Sequence, residues 1–553
     1  MKLAPLALLS ALVAVPSTAQ QGVPVPGPVI APSAMPTTPP KLLVVISVDQ
    51  LSADLFSAYR RHFTGGLARL QDGAVYPSGY QSHAATETCP GHATILTGVR
   101  PGRAGIVAND WIDLKAARED KTVYCAEDES LPGSSSSKYT VSDRHLLVPT
   151  LGERMKAANP ATRVVSVAGK DRAAVMMGGH QVDQMWWWDK GRFVSYAGRT
   201  APAVVTQVND VVFDRFSKPA PALAVPPICV GRDRAVSIGG GKSVGTGHFD
   251  RAGGDARLYR ASPEYDGAVL TLAAGLIRDM KLGQGAAPDI ISIGASATDY
   301  VGHMYGTDGA EMCSQLLSLD RDLGDFFAVL DRSGVDYTVA LTADHGGTDL
   351  PERHREDGVP GAVRAAAGLN AKTIGTEIAG RLGLKGQLLW GGSFGDIWID
   401  PALTRAQSAT VLAEGMKAFA AHPQVQAVFS AAQIQATPMP TSPPESWSLI
   451  ERAKASYNPQ RSGQFVVALK PRVTPIVDPT GGYVATHGSF WDYDRRVPML
   501  FWRKGITGFE QPLGVETVDI APTLAALIGL KLAPGAVDGR CLDLIAGPAT
   551  SCP

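Results

Sequence analysis

Three observations predict an α/β fold, with a large, mostly parallel central sheet, helices on both faces, and smaller α/β insertions over the end where ligands would bind. Short continuous β-branched runs recur along the chain, segments of helical period separate them, and a polar residue directly follows each run. Such alternation is how a sheet of parallel strands covered on both faces reads in sequence.

The first run, "KLLVVISVD" from Lys41, fits a strand buried on both faces. "VPTLGERMKAAN" followed by "TRVVSVAG" reads as helix then strand, and "APDIISIGAS" and "DYTVALTADHGG" are two further buried strands. Asp49, Lys170, Asp299 and Asp344 fall just after these runs, at the carboxyl ends of strands, where open α/β sheets bind their ligands. "QMWWWDKGRFVSY" alternates about an Asp-Lys-Gly turn and predicts a β-hairpin, with Trp186, Trp187 and Trp188 read as packing before pocket lining. Residues 361–480 hold "FGDIWIDP", "SATVLAEGMKAFAAH" and "GQFVVALKP", a small α/β insertion covering one end of the sheet. "GGGKS" at 239–243 resembles the tail of a phosphate loop, but the earlier glycine such a loop needs is replaced by Val236.

Residues 1–19 of "MKLAPLALLSALVAVPSTAQ" have the lysine, apolar run and small flanking residues of a secretory signal peptide. Residues 20–40 are proline-rich without helical or strand period and read as a tether. Residues 41–553 are then one domain with insertions at about 180–260 and about 361–480. No second apolar run of spanning length follows, so the reading is a periplasmic or secreted protein without stable membrane insertion. With 51 basic against 52 acidic residues there is no electrostatic footprint for nucleic acid. The oligomeric state is left open, with a monomer as the working expectation.

An exported chain keeps its disulfides, and there are six cysteines to pair. Cys541 and Cys552 close a short C-terminal loop, and Cys125 with Cys229 is a second expected pair. None has the spacing of a structural zinc ribbon.

Aspartate and histidine gather at the strand ends. "TDYVGHMYG" carries Asp299 and His303 one helical turn apart, "TADHGG" carries Asp344 and His345, "ATHGS" carries His487 and "SVD" carries Asp49. Six such ligands can hold two zinc ions with positions open for substrate. Between the first and second strands lies "TETCPGHATILTG", in which Thr88 and Cys89 are rival nucleophiles.

The fragments "VISVDQL", "TETCPGHATILTG", "GIVAND", "TDYVGHMYG", "TADHGG", "THGS" and "VDIAPTLAALIGL" resemble the alkaline phosphatase superfamily, in its nucleotide pyrophosphatase-like branch with a threonine nucleophile. "AGKDRAAVMMGGH" followed by "WWWDKGRFVSY" is most similar to the bacterial phosphate-irrepressible alkaline phosphatases of the PafA type. The resemblance implies one Zn2+ held by Asp299, His303 and His487. It implies a second held by Asp49, Asp344 and His345, with Thr88 completing the sphere. In "TCPGH" the family's pattern makes Thr88 the nucleophile and Cys89 the variable position, which the resemblance implies is a small buried hydrophobe. The sulfatase pattern, Cys-x-Pro-x-Arg, fails because proline follows Cys89 directly. Asn109, Lys170 and Arg172 are then the substrate-binding donors to phosphoryl oxygens.

The expected function is a two-zinc phosphate monoesterase acting through a phosphothreonine and releasing phosphate. A phosphodiesterase or nucleotide pyrophosphatase using the same metals is the nearest alternative, because the charges of Lys170 and Arg172 suit a dianionic monoester better. A non-catalytic secreted protein that binds metal or phosphate is the remote one.

Overall fold

The computed structural model describes residues 38–546 and 549–553, so the signal-peptide reading and residues 20–37 of the tether lie outside the described residues. Ten strands form the main sheet. Leu42–Val48 lies at its middle, parallel to Asp289–Ala295 on one side and Tyr337–Thr342 on the other. Val164–Ala168 and then Gln184–Asp189 continue the parallel order, and Arg192–Val194 closes that edge antiparallel. On the opposite side Arg496–Arg503 runs antiparallel to both Tyr337–Thr342 and Ala74–Tyr80, and Phe509–Glu510 and Val515–Glu516 both pair parallel with Ala74–Tyr80.

The central strands are apolar throughout because both their faces are covered. Leu42, Val44, Ile46 and Val48 face one hydrophobic cluster, with helices Pro263–Asp279 and Ala310–Ser333. Leu43 and Val45 face the other, with helices Thr88–Thr97, Asp171–Gly178 and Ile520–Leu527. Ile46 is fully buried, so Ile46→Ala would cost about 2–5 kcal/mol. The predicted hairpin forms, with Lys190 and Gly191 at positive φ in its turn. Its three tryptophans are core: Trp188 stacks on Tyr259 and meets Phe216 and Tyr265 edge-on. "GGGKS" forms the turn and return strand of a separate hairpin, Val236–Gly239 with Lys242–Val244.

A second sheet, of Leu389–Trp390, Gly395–Ile399, Phe465–Leu469 and Val425–Ser430, is antiparallel throughout. Helices Ala371–Leu382 and Arg405–Ala421 pack on it over a separate core that includes Ile378, Val411 and Phe419.

Two cysteine expectations are corrected. Cys541 does pair with Cys552, but Cys125 pairs with Cys89 and Cys229 with Cys313. Cys125 follows strand Thr122–Tyr124, whose partner Asp110–Ile112 directly follows Asn109, and this brings it to the start of the helix that carries Cys89. Cys229 sits in the helical turn Pro227–Arg232 that packs on helix Ala310–Ser333. Cys89 is therefore buried as half of a disulfide, and not as a thiol.

Candidate active site

The carboxyl ends of the central strands converge on one cluster. Asp49 follows the strand Leu42–Val48, and Asp344 and His345 follow Tyr337–Thr342. Asp299 and His303 share one face of helix Ala297–Tyr305, which starts just after Asp289–Ala295. His487 arrives on the segment before helix Asp492–Arg495. His303 Nε2 and His487 Nε2 lie 3.3 Å and 3.4 Å from the same Asp299 oxygen, and His345 Nε2 lies 3.2 Å from Asp344.

Each of these imidazoles is oriented by a backbone carbonyl. Nδ1 of His303, His345 and His487 lies 2.8 Å from the carbonyls of Ala485, Gly346 and Thr86. A carbonyl can only accept, so the proton sits on Nδ1 and Nε2 turns a lone pair inward, the arrangement that suits a metal ligand. Asp49 Oδ1, Asp344 Oδ2, His92 Nε2 and His345 Nε2 are buried without a well-aligned hydrogen bond. Such orphaned polar atoms are costly unless they coordinate something, so the donor set fits metal ions. Among the described residues two groups have ligand atoms within 4.8 Å of one another: Asp299, His345 and His487, and Asp49, His92 and Asp344.

The electrostatics agree with this picture. Burial raises the Asp299 carboxyl, but His303 and Lys170 beside it outweigh that and hold it well below the usual carboxylate range. Asp344 is also held low, with burial outweighed by His345 and His92. Burial, reinforced by the His345 imidazole beside it, pushes His487 down to about 4, so its ring is neutral and able to ligate.

Thr88 opens the ten-residue helix Thr88–Thr97, where the first N–H groups have no partner inside the helix and Pro90 is tolerated for that reason. Gly98 ends the helix in the left-handed conformation at φ 67°. Gly91 lets the helix approach the metal-ligand loop: a Cβ there would stand 2.0 Å from the Asp344 carbonyl oxygen. Gln81 ties the two together from one side, donating to the carbonyl oxygens of Gly91 and Ala343.

Asn109 reaches the same helix start. Its Oδ1 accepts from the Cys89 N–H at 2.8 Å, its own N–H donates to Glu87 at 2.6 Å, and its carbonyl accepts from Cys125 N. The Cys89–Cys125 disulfide closes this loop of contacts. Lys170 is the residue before helix Asp171–Gly178 and Arg172 its second residue. Lys170 Nζ lies 3.5 Å and Arg172 Nη2 3.4 Å from the Thr88 hydroxyl oxygen. The Lys170 ammonium is also 3.0 Å from Asp49 and 2.5 Å from Asp299. Burial would weaken its charged form, but these carboxylates outweigh it and raise the pKa. Gly169 serves here by close approach, because a Cβ would stand 2.7 Å from the Tyr265 ring, and not by a left-handed turn. Asp171, between the two cations, is held by the hydroxyls of Tyr124 and Tyr139, each at 2.7 Å.

The structure thus brings Asp49, Thr88, Asn109, Lys170, Arg172, Asp299, His303, Asp344, His345 and His487 together. It adds two residues that sequence reasoning missed. His92, one turn after Thr88, places Nε2 3.2 Å from Asp49 and Nδ1 3.2 Å from Asp344. Gln50, at φ 66°, donates its N–H to Asp344 and its amide to Asp299. A left-handed glutamine is strained backbone, and it sits between Gly302 and Gly347, where a Cβ would stand 1.6 Å and 2.8 Å from its side-chain atoms. The sequence signals available were the histidine of "TCPGH" and the glutamine directly after Asp49.

A doubly covered parallel sheet with carboxylates, imidazoles and a threonine hydroxyl at its carboxyl edge defines a hydrolase of the alkaline phosphatase superfamily. Residues 43–490 match the family model described as type I phosphodiesterase / nucleotide pyrophosphatase, and the chain belongs to that family. It is 59% identical over 520 residues to alkaline phosphatase PhoK of a Sphingomonas species, covering 93% of each chain. It is 49% identical to alkaline phosphatase PhoD of Zymomonas mobilis, over 93% of this chain and 89% of that one. The crystal structure of wild-type alkaline phosphatase PafA superposes with a TM-score of 0.79 at 26% identity, over 93% of this chain and all of that one.

Proposed function

We propose that the chain is an exported two-zinc alkaline phosphatase that hydrolyses phosphate monoesters through a covalent phosphothreonine and releases inorganic phosphate. The observation that carries this reading is the convergence of Lys170 and Arg172 on the Thr88 hydroxyl, 3.5 Å and 3.4 Å away, beside the cluster of carboxylates and imidazoles. The alkaline phosphatase relatives support it, and the apolar N-terminal run supports export. Among the described residues no helix is long and apolar enough to cross a membrane.

Asp299, His303 and His487 would hold one zinc ion, and Asp49, Asp344 and His345 the other, with Thr88. Bound there, the ions supply Lewis-acid stabilisation of negative charge on the attacking and leaving oxygens. The chain's own groups do the rest. Thr88 Oγ1 attacks phosphorus as its proton departs, the bond to the ester oxygen breaks, and the alkoxide leaves opposite to it. The proton lost by Thr88 goes to solvent, from which the alkoxide takes one up; water then attacks the phosphothreonine, one of its protons goes to Thr88 Oγ1 as the Thr88–phosphorus bond breaks, and phosphate is released. The Asn109 Oδ1 is occupied by Cys89 N–H, so its amide NH2 faces the other way and can donate to a phosphoryl oxygen. Lys170 and Arg172 neutralise the two charges of a monoester. The family model's own description favours a diesterase, but a diester carries one charge fewer for these two cations to meet.

The deciding experiment compares rates of the purified mature chain on an aryl phosphate monoester, the matching diester and the matching sulfate. A monoester preference of orders of magnitude is expected; an equal or greater diester rate would overturn the reading.

A further inference from the structure

Beside the reaction centre, between the small antiparallel sheet and the helix of Thr88, lies a cavity of about 540 Å³. That is within the roughly 300–1,000 Å³ of small-molecule sites. It adjoins the site at three points: Glu87 precedes Thr88, Ala108 and Asp110 flank Asn109, and Gly488 follows His487. Its far wall comes from the insertion, with Trp390, Phe394 and Trp398 facing Trp111 and Phe490 of the main body. Nothing in the chemistry at phosphorus uses these rings.

We infer that this cavity receives the ester substituent of the substrate, and that it selects a flat aromatic substituent that is neutral or carries a cationic amine. The inference rests on the monoesterase reading. The phosphoryl end is committed to Thr88, Asn109, Lys170 and Arg172, so the substituent must leave that cluster, and the cavity is lined by the residues next in sequence to Thr88, Asn109 and His487. Aromatic walls favour a ring by stacking and a cation by its attraction to ring faces. The charged groups point the same way, with three carboxyl side chains, Glu87, Asp110 and Asp396, against the single amine of Lys372. Glu87 is engaged with Asn109 N–H, whereas Asp396 uses one oxygen on Gly463 N–H at 2.6 Å and lines the cavity. Burial, against the pull of the Gly463 N–H, pushes Asp396 up to about 7, so it is ionised at alkaline pH.

The test measures kcat/KM at pH 9 for the zinc-loaded full chain and two variants. Substrates are methyl phosphate, 2-naphthyl phosphate, 4-(aminomethyl)phenyl phosphate and 4-carboxyphenyl phosphate. Each variant is compared with wild type on the same substrate, which cancels differences in leaving-group chemistry. Phe394→Ala, in a half-buried loop position, is expected to lose about tenfold on 2-naphthyl phosphate and less than twofold on methyl phosphate. Asp396→Asn keeps an acceptor for Gly463 and is expected to shrink the preference for the aminomethyl over the carboxy substrate by about fivefold or more. Equal losses on methyl and naphthyl phosphate, or an unchanged charge preference, would overturn the inference while leaving monoester hydrolysis intact. Should wild type hydrolyse no monoester, the fault lies with the monoesterase reading, and binding of tyramine followed by tryptophan fluorescence decides the cavity. A dissociation constant that Phe394→Ala leaves unchanged then overturns it.

Discussion

Arg172 Nη2 lies 3.4 Å from the Thr88 hydroxyl oxygen, and its Nε is buried with no hydrogen-bond partner among the described residues. A guanidinium kept in such a place costs desolvation unless an anion completes its donors. Nearby Tyr124, Tyr300 and Asp171 outweigh the effect of burial and hold its pKa well above the usual value, so it stays a cation at any working pH.

Removing the two cations together should separate ester classes. A buried charge-assisted contact is worth ~1.5–3 kcal/mol, and ~1.4 kcal/mol is a decade in rate. The double variant Lys170→Ala with Arg172→Ala should slow monoester hydrolysis by ~10²–10⁴-fold and diester hydrolysis far less. Proportional loss of both activities in a folded, zinc-bound variant would show that these residues do not read substrate charge.

Thr88→Ala should abolish phosphoryl transfer with metal content intact, a loss beyond the ~10²–10⁴ of an ordinary acid or base. Cys89→Ala and Cys125→Ala each break the same disulfide, across a separation of 36 residues. Both should keep most turnover at 25 °C but lose about 2–4 kcal/mol of stability in urea. A dead but fully stable Cys89→Ala protein would point back to the cysteine.

His487→Ala should lower the zinc content by about one ion per chain, read by elemental analysis. The rate loss should be greatest for substrates with poor leaving groups, because stabilisation of the departing oxygen is what is removed. An unchanged metal count would take His487 out of the site.

Away from the site, burial pushes Asp519 up to about 6 from the ordinary 3.8. Its folded-state pKa is raised, so the unfolded chain binds fewer protons between these values and stability falls as pH rises from about 4 to 6, then levels. The loss is on the order of 1–3 kcal/mol. Asp519→Asn removes this titration, so its urea midpoint should drop less than the wild type's between pH 4 and pH 7. Parallel midpoints would refute the assignment.

The strands were legible because burial on both faces writes them as unbroken apolar runs, and Asp49, Asp299 and Asp344 stood out as polar residues at their ends. What stayed illegible depends on contacts across long separations. Gln50 meets Asp344 across 294 positions, and nothing local to "VDQL" announces it. His92 reads as part of a helix until the fold brings Asp49 and Asp344 to either side of its ring. The cysteine partners were lost for the same reason: Cys125 and Cys229 share a loop-like composition, but the hairpin delivers one to Thr88's helix and the turn delivers the other to Cys313. The tryptophan triplet shows the limit of residue type as a guide. Trp186, Trp187 and Trp188 are buried in the main body, whereas Trp390 and Trp398, spaced eight apart in the insertion, line the cavity.

The backbone contact at Gly91 bears on how such a molecule could acquire new tastes. With a carbonyl 2.0 Å from where its Cβ would be, any other residue there would push the hydroxyl of Thr88 away from the loop of Asp344 and His345, so mutational drift at this seam is closed. Trp398 packs against the main-body cluster, but Trp390 and Phe394 belong to the insertion, whose sheet has its own hydrophobic centre built from Ile378, Val411 and Phe419. Changes there need not disturb the seam. A library randomised at Trp390 and Phe394 would therefore explore substrate range on an unchanged reaction centre, and inheritance of the chemistry and of its selectivity can proceed on separate parts of one chain.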